Sequence, residues 1–253
     1  DYSVLALIGD GALTGGLAYE GLNNAGASGE PLIVLLNDNG MSINPNVGAV
    51  DSHLSQIRSK PAYYHFKKWY RGLFGQHPME NPLYRFNHKV KTSLKKALWP
   101  GSTLFEDMGF TYIGPVDGHQ VGELTRLLRW AKSLEGPVLL HVRTVKGKGW
   151  AHAEETPDAY HGVSPFDLAT GKPLNPSGRN FSSVFGEELS RLAAEDPKIC
   201  AVTAAMRSGT GLDPFAIRCP ERFFDVGIAE GHAVAMCSGM AKQGMLPVFA
   251  VYS

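Results

Sequence analysis

The chain has 253 residues, with 24 basic and 24 acidic side chains and therefore no formal net charge at pH 7. That length holds one large or two modest domains with a sizeable core. The charge balance excludes both the basic excess of a nucleic-acid-binding surface and an acidic solvating tail, and no apolar run reaches the roughly 20 residues that a membrane span needs.

Cys200, Cys219 and Cys237 are odd in number and lack CxxC spacing, so they read as reduced thiols of an intracellular protein. Nothing at the start resembles a signal peptide. The sequence opens without Met almost inside a strand and stops at Ser253 on what reads as a core strand, so it is expected to be a fragment of something longer.

Tyr2 to Ile8 and Leu32 to Leu36 are short apolar runs of the kind a parallel sheet covered on both faces requires, and both are expected to be buried strands. Between them Leu13, Leu17, Ala18, Leu22 and Ala25 recur at helical spacing, with Gly26 to Pro31 as the stop. This is a βαβ unit. Its two strands end on one edge of the sheet, which brings Gly9-Asp10-Gly11 and Asn37-Asp38-Asn39 together where open α/β sheets bind ligands. Asp10 and Asn39 offer hard oxygens suited to Mg²⁺, which completes its octahedron with phosphate and water. A helix start at Ala12 and Leu13 adds backbone N–H donors for a diphosphate. Taken singly, each motif also fits an ordinary turn.

Met41 to Val50, with Pro45, reads as an ordered loop over a pocket. Residues 51 to about 100 read as a helical excursion in which Tyr63, Tyr64, Phe66, Trp69, Tyr70 and Phe74 pack together. The basic clusters Lys67-Lys68 with Arg71 and Lys89-Val90-Lys91 with Lys95-Lys96 read as solvated faces.

The α/β rhythm resumes at Leu104, with a strand from Thr111, a turn at Asp117-Gly118-His119, a helix over Val121 to Ala131 and a strand over Pro137 to Val142 whose His141 reads as a satisfied core histidine. Thr144 to Trp150 is a basic, glycine-bearing loop able to cradle a phosphate or to serve as a plain turn. His161, in a loop, has the chemistry of a proton donor or acceptor near neutral pH. Residues 165–181 have linker composition, and a second α/β rhythm follows: a helix from Phe185, strands at Ile199 to Ala204 and Phe223 to Val226, an apolar helix over Ile228 to Lys242, and a final strand. Glu230, flanked by Ile228, Ala229 and Ala233, reads either as a dipole-complementing first-turn acid or as a partly desolvated carboxylate ready to share a proton with a ligand.

The phrases Ile8 to Gly16, Asn37 to Ile43, Tyr112 to His119, Ala204-Ala205-Met206, Arg222 to Glu230 and Val251-Tyr252-Ser253 together resemble the 1-deoxy-D-xylulose-5-phosphate synthase family of the transketolase superfamily. The resemblance implies an α/β, parallel-sheet thiamine diphosphate-binding fold. Residues 1–164 would form the diphosphate-binding domain, 165–181 a linker, and 182–253 the start of the pyrimidine-binding domain.

It further implies Mg²⁺ held by Asp10, Asn39 and the Met41 carbonyl, and a diphosphate contacted by Gly11, Ala12 and Asn39. Trp150 stands at the position of a cofactor-contacting Tyr. Glu230 would hydrogen-bond the aminopyrimidine ring, His161 would act in proton transfer and substrate binding, and Tyr252 would line the substrate pocket. Gly231 departs from the Gln usual between the family's Glu and His. The implied reaction joins pyruvate to glyceraldehyde 3-phosphate with loss of CO₂, supplying isoprenoid, thiamine and pyridoxal biosynthesis. A homodimer in the bacterial cytoplasm, or alternatively in a plastid, completes the expectation. The alternatives are another thiamine-dependent transketolase-type enzyme and a non-catalytic fragment or paralogue.

Overall fold

The computed structural model describes residues 2–42, 46–59, 104–175 and 178–252. The aromatic and basic clusters between Tyr63 and Lys96, and Pro45, lie outside the described residues. Among the described residues, no helix is long and apolar enough to cross a membrane.

The first sheet has four strands: β1 (Val4–Gly9), β2 (Leu32–Asp38), β3 (Thr111–Asp117) and β4 (Val138–Arg143), in the order β1-β2-β4-β3. β3 and β4 run parallel, with Thr111 opposite Val138 and Val116 opposite Val142. Strand order departs from chain order, the mark of crossover connections. Helix α1 (Gly16–Ser28) crosses between β1 and β2 in sequence, α2 (Ala49–Ser59) follows β2, and the single turn α3 (Leu104–Asp107) precedes β3. Helix α4 (Val121–Ala131) links β3 to β4.

Leu127 and Ala131 of α4 meet Ile113, Val116, Val138, Leu140 and Val142 of the sheet, and Ile33 of β2 joins them in one buried cluster. A central strand closed on both faces needs a nearly continuous apolar run, and β4 has one, buried from Val138 to Val142 and exposed only at Arg143. The polar residue within that buried run, His141, is satisfied by the Tyr112 hydroxyl at 2.7 Å from Nδ1.

One expectation, for the first strand, is corrected. β1 is the edge of the sheet, and Val4, Leu5 and Leu7 are exposed rather than buried. Apolar continuity in a strand records what its faces require, not whether this chain supplies the cover. The expected stop over Gly26 to Pro31 holds: α1 ends at Ser28, and Gly29 follows at φ +69°. Gly26 itself lies in the last turn of α1, where a Cβ would overlap the Met108 carbonyl.

The second sheet has three strands in the order β6-β5-β7: β5 (Ile199–Thr203), β6 (Phe223–Asp225) and β7 (Leu246–Ala250), all parallel. Thr203 stands opposite both Asp225 and Ala250. Helix α6 (Phe181–Glu195) comes after the short α5 (Ala151–Glu155). It starts in a reciprocal cap, where Asn180 Oδ1 accepts from the Ser183 N–H at 2.8 Å and Ser183 Oγ accepts from the Asn180 N–H at 3.1 Å. Helices α7 (Asp213–Arg218) and α8 (Glu230–Lys242) complete this half. Leu189, Ala193, Ala201, Leu212, Phe215 and Cys219 form its core.

By contact the chain divides into two units that interleave along the sequence: Asp1–Ile8, Glu20–Asn37 and Leu54–Arg143 make one, and Gly9–Tyr19, Asp38–His53 and Thr144–Ser253 make the other. The loops after β1 and β2 therefore cluster with the second half of the chain.

Candidate functional site

Asp10 leaves β1 at a turn and is 1% exposed. Its Oδ2 accepts from the Gly40 N–H at 2.6 Å and from Asn46 Nδ2 at 2.9 Å. The loops after β1 and β2 are thus joined, as their placement at the ends of neighbouring strands predicts. Burial, then the adjacent carboxyl of Asp38, raises Asp10 from 3.8 to about 6, although N–H donors from Gly40 and Gly11 oppose the shift. Asp38 is equally buried. Two carboxyls crowded out of water are an arrangement that a cation would relieve.

Asn39 Oδ1 accepts from the Met41 N–H at 3.0 Å, which ties down the residue whose carbonyl is the third expected ligand. Among the described residues no group of three or more His, Cys, Asp or Glu gathers to hold a metal. The expected ligand set is of another kind: one carboxylate, one amide and one carbonyl oxygen.

Gly11 is buried at the bottom of this turn. A Cβ there would stand 2.9 Å from Ser42 Cβ, 3.0 Å from Asn46 Oδ1 and 3.4 Å from Ile228 Cδ1. Ala12 to Thr14 form a separate 3₁₀ turn, closed by Thr14 Oγ1 donating to the Gly11 carbonyl at 2.7 Å, and α1 begins only at Gly16. The expected helix start at Ala12 and Leu13 is therefore corrected. The preceding tight turn stands there instead, because Thr14 takes the Gly11 carbonyl.

The segment carrying Glu230 packs on the same turn. Ile228 reaches Gly11 through its side chain, and its carbonyl would lie 3.1 Å from a Cβ on Gly15. Glu230 opens α8 and is exposed, so the desolvated reading of its carboxylate does not hold in this chain alone. Ala233, three residues on, is fully buried, whereas Glu230 stays in solvent at the start of the helix.

Lys146, in the basic loop after β4, donates from Nζ to the Ser42 carbonyl. Burial draws its ammonium below the ordinary lysine value, against the pull of Asp158 and Asp10. Trp150 sits in an aromatic cluster, with ring centroids 4.8 Å from Tyr160, 5.0 Å from Phe166 and 5.2 Å from His152. The Tyr160 hydroxyl donates to the Gly171 carbonyl at 2.8 Å. His161 follows directly, exposed, its N–H donating to the Asp158 carbonyl at 3.2 Å. Tyr252, after β7, lies across Gly209.

A family model described as 1-deoxy-D-xylulose-5-phosphate synthase matches residues 1–144, more than half of the chain. The chain belongs to the 1-deoxy-D-xylulose-5-phosphate synthase family. A second model, of the transketolase pyrimidine-binding domain, matches residues 177–253 of this synthase-family chain. Curated synthases align along all of it: that of Symbiobacterium thermophilum is 52% identical over 254 residues, that of Carboxydothermus hydrogenoformans 50% over 253. The chain covers 39% and 40% of those two proteins, so it spans about two fifths of the length of the relatives it matches. Transketolase from Campylobacter jejuni aligns with the whole chain at a TM-score of 0.36 and 17% identity, over 43% of its own length.

In this synthase-family chain, glycine at 231 is not sterically imposed: a Cβ there meets nothing within 4 Å. Sequence reasoning placed Asp38 in its motif at the ligand edge, and Ser42, Asn46 and Lys146 in their loops, without giving any of them a role of its own, and it missed Tyr160 and Phe166 as the company of Trp150. Only the loop composition around Asn46 and the Gly-Lys repeat around Lys146 hinted at such roles.

Proposed function

We propose that this chain is the diphosphate-binding domain, residues 1–164, the linker 165–181 and the start of the pyrimidine-binding domain, 182–253, of a thiamine diphosphate-dependent 1-deoxy-D-xylulose-5-phosphate synthase. The observation that carries the reading is the packing of Ile228, two residues before Glu230, on Gly11, the residue after Asp10. A cofactor with a diphosphate at one end and an aminopyrimidine at the other needs both stretches close to one another.

The residues fit the group. Gly11 leaves a backbone approach that any side chain would fill, and the buried Asp10 and Asp38 carboxyls call for a cation. Asp10, Asn39 and the Met41 carbonyl would hold Mg²⁺, with Gly11, Ala12 and Asn39 against the diphosphate and Trp150 beside the cofactor. When bound, thiamine diphosphate would supply the carbon nucleophile and electron sink for decarboxylating pyruvate and joining its remaining two carbons to glyceraldehyde 3-phosphate. Glu230 would hold a proton at the aminopyrimidine ring nitrogen. His161 would move a proton at the substrate, and Tyr252 would line the substrate pocket. A homodimer is what the family resemblance implies, and three free cysteines support a reducing compartment, the cytoplasm.

Calorimetric titration with thiamine diphosphate, with and without Mg²⁺, on the wild-type chain and on Asp10→Ala tests the site. Metal-dependent binding lost in the variant is expected, and equal binding by both overturns it. Incubating the complete natural polypeptide with pyruvate and glyceraldehyde 3-phosphate then tests the reaction. CO₂ release with formation of the five-carbon product is expected, whereas ketol transfer without CO₂ would make it a transketolase-type enzyme.

A further inference from the structure

We propose that Asp225 is a positioning residue for Glu230, fixing the turn from which α8 starts. The proposal rests on the cofactor-binding role assigned to Glu230 above.

Asp225 ends β6. Its Oδ1 accepts two backbone N–H groups, from Ala205 at 2.8 Å and from Gly227 at 3.0 Å. Those donors belong to two different connections, the one leaving β5 and the one leaving β6. Both sit in the left-handed region, Ala205 at φ +58° and Gly227 at φ +70°. Among the described residues Ala205 is the only non-glycine with positive φ, a conformation in which an alanine Cβ crowds the following carbonyl. Such a residue persists where its surroundings over-determine it. The carboxylate of Asp225 does so here, since a charged acceptor shared by two N–H groups makes strong hydrogen bonds.

The turn fixed in this way leads directly to Glu230. The Ala229 N–H donates to the Gly227 carbonyl at 2.8 Å, and the Ala233 N–H to the Ala229 carbonyl at 3.0 Å, the first turn of α8. Between them Ile228 seats on Gly11 and Gly15, while a Cβ on Gly227 would make only ordinary contacts, 3.4 Å to Thr14 Oγ1 and to Val47 Cγ2, so it is the positive φ that calls for glycine there. Behind the turn, the Val226 N–H donates to the Thr203 carbonyl at 3.1 Å and Thr203 Oγ1 donates to the Ala250 carbonyl at 2.9 Å, so all three strand ends are tied to the same base. A shift of the Gly227 N–H therefore moves Ile228 off its seat and Glu230 with it. Asp225 itself touches neither cofactor nor substrate in this account.

The test uses the complete natural polypeptide with three variants. Asp225→Asn keeps an oxygen able to accept both N–H groups, Asp225→Ala removes it, and Ala205→Gly in the Asp225→Ala background relieves the left-handed alanine without returning an acceptor to the Gly227 N–H. Asp225→Ala is expected to weaken thiamine diphosphate binding by roughly 10- to 100-fold, the usual effect of losing a group that orients a ligand-contacting residue. Asp225→Asn is expected to recover most of that loss, and the Ala205→Gly double variant is not, because the Gly227 N–H still lacks its acceptor. In the cofactor-free protein, amide exchange at Ala205 and Gly227 should quicken in Asp225→Ala and stay slow in Asp225→Asn. Calorimetry on Glu230→Gln closes the cycle: Asp225→Ala should cost nothing further in that background. If Glu230→Gln weakens binding while Asp225→Ala is silent, or adds its full cost to that of Glu230→Gln, the positioning role is wrong and the Glu230 assignment stands. If Glu230→Gln leaves both binding and turnover unchanged, the Glu230 assignment fails and takes the positioning role with it.

Discussion

Asp10 is a carboxylate whose ordinary role and whose surroundings pull in opposite directions. With its carboxyl raised to about 6 in the folded chain against an ordinary 3.8, the proton is held more tightly folded than unfolded. Its contribution to stability is then complete below about pH 4 and is lost as pH rises through about 6. Without metal, Asp10→Asn should therefore raise the unfolding temperature at pH 8 and do little at pH 5, a difference worth on the order of 1–3 kcal/mol. Added Mg²⁺ and thiamine diphosphate should reverse the ranking at pH 8. Thermal scans of the two proteins at both pH values check the sign. Gly11→Ala pushes a methyl against Ser42 and Asn46 and is expected to cost about 1–3 kcal/mol in a denaturant titration. It should also weaken diphosphate binding, because Asn46 leaves Asp10. Asp10 and Asn39 were legible in the sequence because strand ends and glycines announce themselves locally. Asn46 and Lys146 were not, since a loop amide has no periodicity and Lys146 finds its acceptor, Ser42, 104 positions away.

Helices and strands were legible wherever apolar spacing decides the element, as along Val121–Ala131 and Val138–Arg143. Boundaries and burial were not, because both depend on neighbours. Gly26 shows the difference: the stop expected over Gly26 to Pro31 falls at Gly29, while Gly26 stays inside α1 as the point where the helix meets the chain at Met108. Alanine has the better helix propensity by about 1 kcal/mol. Gly26→Ala is nonetheless expected to destabilise by several times that, because the new Cβ meets a backbone carbonyl that cannot step aside, and equilibrium unfolding in guanidinium chloride decides which effect wins. Arg222 plays a comparable part in the second sheet. Its guanidinium donates to the carbonyls of Ala193, Asp196 and Ile199, binding the end of α6 to the start of β5. Lysine lacks the planar fork. Arg222→Lys should cost about 2–4 kcal/mol by leaving part-buried carbonyls unpaired, again read by guanidinium denaturation.

At the scale of the molecule, ligand linkage offers the simplest readout. Thiamine diphosphate with Mg²⁺ at 100 times its dissociation constant should stabilise the chain by about 2.7 kcal/mol. The gain should disappear when a chelator removes the metal or when Asp10 is alanine. Fold class and family were open to sequence reading because the motifs sit at strand ends in a fixed order. The grouping of the loops was hidden, since it follows from which backbone segments share neighbours rather than from any local pattern. That grouping bears on how the chain can be cut. Gly9–Tyr19 and Asp38–His53 belong by sequence to the first α/β half and by contact to Thr144–Ser253. A scission in the linker would thus strip the Asp10 turn of Ile228, while leaving Lys146 and every first-half strand in place. Two polypeptides made separately from either side of the cut should each be poor ligand traps and regain binding only on mixing, behaving as complementing fragments rather than as two modules on a string.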